Sequence, residues 1–241
     1  MITHDGSFTA FFTAFLVALS RGEDFGPEEG GLFETKSVSP DDRLVEQWLA
    51  RTKQAYGSEV VSDFLALFFS EEKDRESLFL SYAKLLEKKG KTIRNARQEP
   101  IIARIMKIRR AYFFEVHRFQ GLVRFREIQG WLYAPIEPTY HILPYLWSHF
   151  HRRLPREKWI IHDTGRDVAV LYDGEIHWTN GFSLDGTLEE LVSEREKEIQ
   201  ALWKGFYQSI AIPERKNPRQ QRQMMPKKYW KYLVEKENNP A

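Results

Sequence analysis

Cysteine is absent from this 241-residue chain. That excludes disulfides, a thiol nucleophile and any thiolate-ligated zinc or iron–sulfur site built from this chain alone. It also fits a reducing compartment, and a cytoplasmic location is expected. Long apolar runs are missing too. The most hydrophobic stretch, FTAFFTAFLVALS from Phe8 to Ser20, is too short to span a bilayer. The preceding MITHDG lacks the basic region of a signal peptide, although Ala18-Leu19-Ser20 resembles a cleavage site. No membrane association is expected. Glycine is sparse, and no phosphate loop, dinucleotide fingerprint or nucleophile elbow is present. No internal repeat or low-complexity tract appears. An excess of charge of one sign is lacking as well. With 36 Lys and Arg against 34 Asp and Glu, only local clustering could form a polyanion-binding surface.

What is there suffices for a packed core. Hydrophobic residues make up 42% and aromatics 14%, which excludes global disorder. Asp5 and Ser7 are good N-caps for a buried helix that begins near Phe8. A glycine-rich loop (Gly22, Gly26, Pro27, Gly30, Gly31) follows. Helical spacing then predicts segments over 40–56, 58–69 and 74–89, the last closed by Gly90. A further helix over 100–119 carries Ile101, Ile105, Ile108, Tyr112 and Phe119 on one stripe.

At Gly121 the period changes from helical to alternating. LVRFREI and GWLYAPIEP read as a β-hairpin, with Pro135 and Pro138 limiting the second strand. YHILPYLWSHFHRRL reads as a helix, KWIIHD and DVAVLYDG as strands, and EIHWTN as a third strand. One long helix is expected from Leu184 to Ile210. The fold class is α+β: a helical N-terminal half (1–120), an antiparallel β-β-α-β-β core with a covering helix (121–212), and a basic, aromatic C-terminal segment (213–241). Alternation suggests that Trp131, Tyr133, Trp159, Ile161, Val168, Val170 and Tyr172 contribute several residues to one sheet face. Leu143, Leu146, Leu202 and Phe206 would pack on it.

Catalytic signals are weak. His141, His149 and His151 lack the spacing of a helical ligand pair, and there is no HExxH. No metal or cofactor is expected; only a site assembled across elements, for example around His162 and Asp163, would be compatible. His162, Asp163, Glu127 and Glu137 lie on or at the ends of expected strands and could converge for acid–base work. Asp163 and Asp173 equally suit hairpin ends as turn residues.

Two basic features stand out. Between Lys91 and Arg110 there are seven bases and one acid, with Arg97, Arg104, Lys107 and Arg110 off the apolar stripe. This suits a solvated helix face as well as a phosphate-facing one. Near the end, ERKNPRQQRQMMPKKYW gathers Arg215, Lys216, Arg219, Arg222, Lys227 and Lys228 with Tyr229 and Trp230. A solvated tail has no use for Met, Tyr and Trp, whose burial is worth roughly 1.5–3 kcal/mol per large side chain. The segment should therefore dock through Met225, Tyr229 or Trp230 and present its arginines, with Pro226 opening a short helix. An acidic protein groove would want nearly the same residues.

The motifs DGSFTAFFTAFL, HRFQGLVRFRE, YAPIEP, LPYLWSHFHRRLP, WIIHD and ERKNPRQQRQMMPKKYWKYL together resemble a bacterial family of DNA-metabolism or DNA-repair proteins of unknown biochemical function. The resemblance covers nearly the whole chain, and its last motif is the most specific. It implies a DNA context and a radical-SAM protein as partner. Some family members are fused to a uracil-DNA-glycosylase-type domain; this chain resembles the stand-alone form, so base-excision chemistry would lie in another polypeptide. The resemblance supplies no catalytic residues. A non-catalytic accessory module that binds nucleic acid is thus the favoured expectation. The alternatives are a nucleic-acid-processing enzyme using a His/carboxylate pair, and a protein-interaction adaptor.

Overall fold

The structure, a computed structural model, describes residues 1–28 and 36–236. Gly30 and Gly31 of the expected loop, and the last five positions of the C-terminal segment, lie outside the described residues. The chain divides into two compact units, one ending at Phe113 and one beginning at Phe114.

In the first unit, α1 (Phe8–Arg21) starts at Ser7, whose side chain accepts the Ala10 N–H, and stops at Gly22 with φ +67°. That left-handed angle is the reason a glycine ends the helix. α2 (Asp42–Tyr56) is capped by Asp41, and α3 (Ser58–Phe69) and α4 (Arg75–Lys89) follow. α5 (Pro100–Leu122) contains the division between the units. Phe11, Phe12, Phe15, Phe64, Phe79 and Tyr82 form a fully buried aromatic core. Three short strands went unforeseen: β1 (Ile2–His4), paired in parallel with β2 (Phe25–Pro27) and β3 (Lys36–Ser37). β2 lies in the stretch expected to be loop. Strands of two or three residues are too short for alternation to reveal.

In the second unit, β4 (Arg126–Ile128) and β5 (Trp131–Ile136) make the expected hairpin. Gln129 and Gly130 both take positive φ, +50° and +82°, as a tight two-residue turn requires. α6 (Leu143–Arg153) has Pro144 in its first turn, and β6 (Trp159–Asp163), β7 (Val168–Tyr172) and β8 (Ile176–Asn180) complete a sheet ordered β4-β5-β6-β7-β8. The α+β class holds. The wholly antiparallel core needs one correction, because β5 and β6 run parallel. The stretch between them, which includes α6, is long enough to return the chain to the same sheet end.

The register sorts the side chains differently from expectation. Trp159, Ile161, Val168, Val170 and Tyr172 share one face. Trp131 and Tyr133 lie on the opposite face, since Tyr133 is paired with Ile160. α6 packs on β6 and β7 with Leu143, Leu146 and Phe150 buried. On the other face, Phe182, Leu184, Leu188 and Leu191 pack on Ile128, Tyr133, Ile160 and Ala169.

The expected long helix is two helices, α7 (Leu188–Leu191) and α8 (Glu194–Ser209). Val192 is extended, and Ser193 caps α8 by accepting the Glu196 N–H. After this break α8 meets the sheet at its first turn, where the buried Glu196 accepts the Glu127 N–H at 3.2 Å. Leu202 and Phe206, expected in the core, are 73% and 53% exposed. α9 (Pro218–Met224), a two-turn 3-10 segment over Lys227–Tyr232 and a one-turn one over Val234–Lys236 end the described chain. Among the described residues, no helix is long and apolar enough to cross a membrane.

Candidate nucleic-acid interface

Through Lys236 the C-terminal segment is held at many points by its apolar and tyrosyl side chains. Tyr229 is buried, its ring edge-on to Phe119 at 4.9 Å. Its hydroxyl donates to the buried Glu115 carboxylate on α5. Burial pushes the Tyr229 hydroxyl pKa up, and the bond to Glu115 adds to the shift. Glu115 also accepts the backbone N–H groups of Thr139 (3.0 Å) and Tyr140 (2.8 Å), and Lys228 Nζ lies 3.6 Å away. Further along, the Tyr232 hydroxyl meets Thr164 Oγ1 at 3.0 Å and Lys231 pairs with Glu137. Arg124 binds Glu235 at 2.7 Å, and Trp203 Nε1 donates to the same carboxylate. Leu233 and Val234 are buried. A short 3-10 helix after Pro226, Lys227–Tyr232, thus carries the anchor.

What the anchors leave outside is basic. Arg215, Lys216, Arg219, Arg222 and Lys227 are exposed, and none forms an ion pair with a described residue. Asn217 caps α9 by accepting the Gln220 N–H, which places Arg219 and Arg222 three residues apart on one side. Arg222 Nε donates to the Pro218 carbonyl at 3.2 Å. Arg118 donates to the Gln223 carbonyl at 2.9 Å and steadies the end of α9. Two expected contact residues turn out to serve the fold. Tyr229 is sealed and offers no stacking face, and Lys228 leans on Glu115 and Thr139. Trp230 is half-buried, with its indole N–H on the Met225 carbonyl and Lys236 Nζ 4.9 Å over its ring.

The other basic stretch, in the first unit, carries less free charge than its sequence suggests. Arg104 is bound by Asp74 (2.7 Å) and Glu72 (3.4 Å). Arg94 and Arg109 turn inward to the buried Asp63, with Arg109 Nε 3.0 Å from its carboxylate. Arg97, Lys107 and Arg110 are exposed and make no ion pair with a described residue.

The four acid–base candidates sit in separate hydrogen-bonded groups. His162 and Asp163 are adjacent on β6, so they point to opposite faces. His162 Nδ1 is 2.9 Å from the Tyr133 hydroxyl, Nε2 is 3.6 Å from Asp167, and Phe182 lies edge-on to the ring. Burial lowers the His162 pKa, partly opposed by Asp167, and pushes the Tyr133 hydroxyl up to about 12. Asp163 accepts the N–H groups of Gly165 and Arg166 and pairs with the Arg166 guanidinium at 3.1 Å. Glu127 is tied to the Gly130 N–H and the Ser193 hydroxyl, and Glu137 to Lys231. Asp163 and Glu137 both border Gly165, but each keeps its own cationic partner. Among the described residues no group of three His, Asp or Glu side chains could hold a metal ion.

Glu115 and Tyr232 are the residues that sequence reasoning missed. Glu115 had a readable signal: it stands between Tyr112, Val116 and Phe119 on the apolar stripe of α5, where a carboxylate must find donors. Tyr232 had none, because its partner Thr164 is remote in sequence.

The chain belongs to the DUF4130 family. The model of this domain of unknown function matches residues 73–235, a span that takes in the five-stranded sheet and the anchored basic segment through Glu235. No curated protein and no solved structure matches the chain.

Proposed function

We propose that this member of the family is a nucleic-acid-binding accessory protein that holds a radical-SAM partner on DNA. The observation that supports binding is the anchored segment: Tyr229 and Leu233 are buried, while Arg215, Lys216, Arg219, Arg222 and Lys227 are exposed and form no ion pair with a described residue. Arginines fixed on a short helix present forked donors suited to phosphate oxygens without first having to be ordered. Exposed Arg97, Lys107 and Arg110 would supply further phosphate contacts. The radical-SAM partner, and a uracil-DNA-glycosylase-type protein beside it, rest on the family resemblance of the motifs. A cytoplasmic setting suits this role and the absence of cysteine. The acid–base reading has less support, because His162, Asp163, Glu127 and Glu137 each have their own partners.

The test is a salt titration of DNA and RNA binding by the native chain and by Arg219→Ala/Arg222→Ala. For every phosphate that the variant no longer neutralises, the log–log slope should flatten by about 0.9 on duplex DNA or about 0.7 on single strands. An unchanged slope and affinity would remove the segment from any nucleic-acid footprint.

A further inference from the structure

Within the second unit, the end of α5, the residues before β4, β5 and the end of α6 enclose a surface pocket of about 400 Å³. That volume is in the range of small-molecule sites. Its walls are apolar and aromatic, with Phe125, Leu132, Phe150 and Leu154 among them. The Phe125 and Phe150 rings lie 5.1 Å apart at 77°. Phe150 is buried and Phe125 only half-buried, so Phe125 is the ring left for an incoming group to meet.

The charge in this pocket is of one sign. Arg124 and Arg153 both line it, and none of its described lining residues is acidic. The two arginines are not equivalent. Arg124 is paired with Glu235 at 2.7 Å and donates to the Gly121 carbonyl at 2.8 Å. Arg153 is exposed and forms no ion pair with a described residue, and the same holds for Arg152 and Arg156 nearby. This uncompensated charge reaches His149, one helical turn before Arg153. Burial lowers the His149 pKa, and Arg153 and Arg152 lower it further. Gln120 also lines the pocket, half-buried, and its amide makes no hydrogen bond to a described residue. Such an amide offers both donors and an acceptor.

A purely apolar ligand would leave Arg153 and Gln120 unused, and a bare anion would leave the aromatic wall unused. A flat aromatic body with hydrogen-bonding edges and a terminal anion uses all three, and a nucleotide has that form. Bases stack on aromatic side chains, and a guanidinium fork matches phosphate oxygens. We propose that this pocket takes one unpaired nucleotide, its base against Phe125 and Gln120 and its phosphate on Arg153. Such a site reads a base, which the phosphate contacts proposed for Arg219 and Arg222 do not.

Methyl NMR of the full chain, titrated with deoxynucleoside monophosphates, tests it. The Leu132 and Leu154 signals should shift, with a dissociation constant below about 1 mM. Arg153→Ala, at an exposed position, should weaken the monophosphates about tenfold and leave the nucleosides unchanged. Phe125→Leu should weaken both about fivefold or more. Arg219→Ala/Arg222→Ala should leave mononucleotide binding unaltered, so this site and the basic segment stand or fall separately. Two sources of nucleotide can satisfy the pocket. A single-stranded oligonucleotide that gives the same shifts at lower concentration identifies a strand, and shifts from the monophosphates alone identify the free nucleotide. Three results would each overturn the proposal: unmoved methyl signals at about 10 mM monophosphate, equal affinity for nucleosides and monophosphates, or full affinity in either pocket variant.

Discussion

Tyr229 donates its hydroxyl to the carboxylate of Glu115, joining the C-terminal segment to the middle of α5 within the second unit. Glu115 is itself oriented by the backbone N–H groups of Thr139 and Tyr140, which hold both carboxylate oxygens in place beside the tyrosine. A carboxylate held in this way accepts a stronger bond than a mobile one would. The basic residues on either side of Tyr229 inherit that order.

Tyr229→Phe should therefore keep the ring packed on Phe119 and remove the bond. Hydrogen bonds to charged groups are worth about 1.5–3 kcal/mol. The expected result is a lower urea midpoint with an unchanged slope, and faster amide exchange over 227–234. Unaltered exchange there would mean that Leu233, Val234 and the Arg124–Glu235 pair hold the segment without the tyrosine.

Gly130 is the second test. Its φ of +82° lies where L side chains are strained, and Gln129 beside it already occupies that region at +50°. Gly130→Val should destabilise the β4–β5 hairpin by about 1–2 kcal/mol or more, since β-branched residues fit a left-handed turn poorly. Gln129→Gly should do the reverse by a few tenths to about 1 kcal/mol. Thermal unfolding of the two variants should bracket the native midpoint.

Helix limits were readable in the sequence because caps and stripes are local: Ser7, Gly22, Asp41 and Gly90 stand where helices begin or end. The β4–β5 turn was readable for the same reason. The β5–β6 direction was not, because it depends on where the chain returns after α6. The fate of α8 turned on Val192 and Ser193, two residues inside a continuous helical pattern, and Ser193 is a better cap than interior residue. The candidate site divides along the same line. The docking of Tyr229 followed from its chemistry, whereas the separation of His162 from Asp163 followed from their adjacency on one strand, and the engagement of Arg104 by Asp74 and Glu72 followed from tertiary placement.

Asp63 gives a third prediction, in the first unit. Its fully buried side chain accepts from the Tyr82 hydroxyl at 2.7 Å and lies 3.0 Å from Arg109 Nε and 3.8 Å from Arg94 Nε. Burial raises the Asp63 pKa, and the tyrosine and both arginines oppose that rise. Asp63→Ala would leave the Arg109 guanidinium and the buried Tyr82 hydroxyl without their acceptor, while Arg94 keeps its pair with Glu59. Breaking one side of such a pair costs about 3–5 kcal/mol. Replacing Arg109 as well should recover part of that loss, and a denaturation series on the single and double variants measures the coupling.

His162 supplies the pH dependence. Burial disfavours its charged form, so its folded pKa lies below the ordinary value of 6.5, with Asp167 pulling the other way. In the window between the folded and unfolded midpoints the unfolded chain binds more protons than the folded one. Stability contributed by neutral His162 is then fully present above 6.5 and is lost as pH falls through that value toward the folded midpoint. His162→Gln should remove this component, so that acidification from neutral pH destabilises the variant less steeply than the native protein. Asp167→Asn should act in the opposite sense on the native histidine. With the carboxylate 3.6 Å from Nε2 gone, only the burial effect and the weaker pull of Asp163 remain, and the folded midpoint must drop further. An NMR titration of the histidine ring in the native and Asp167→Asn proteins measures both midpoints. A native midpoint above that of a free histidine would show that the charged form is favoured, with Asp167 outweighing burial, and would reverse the predicted slope of stability with pH.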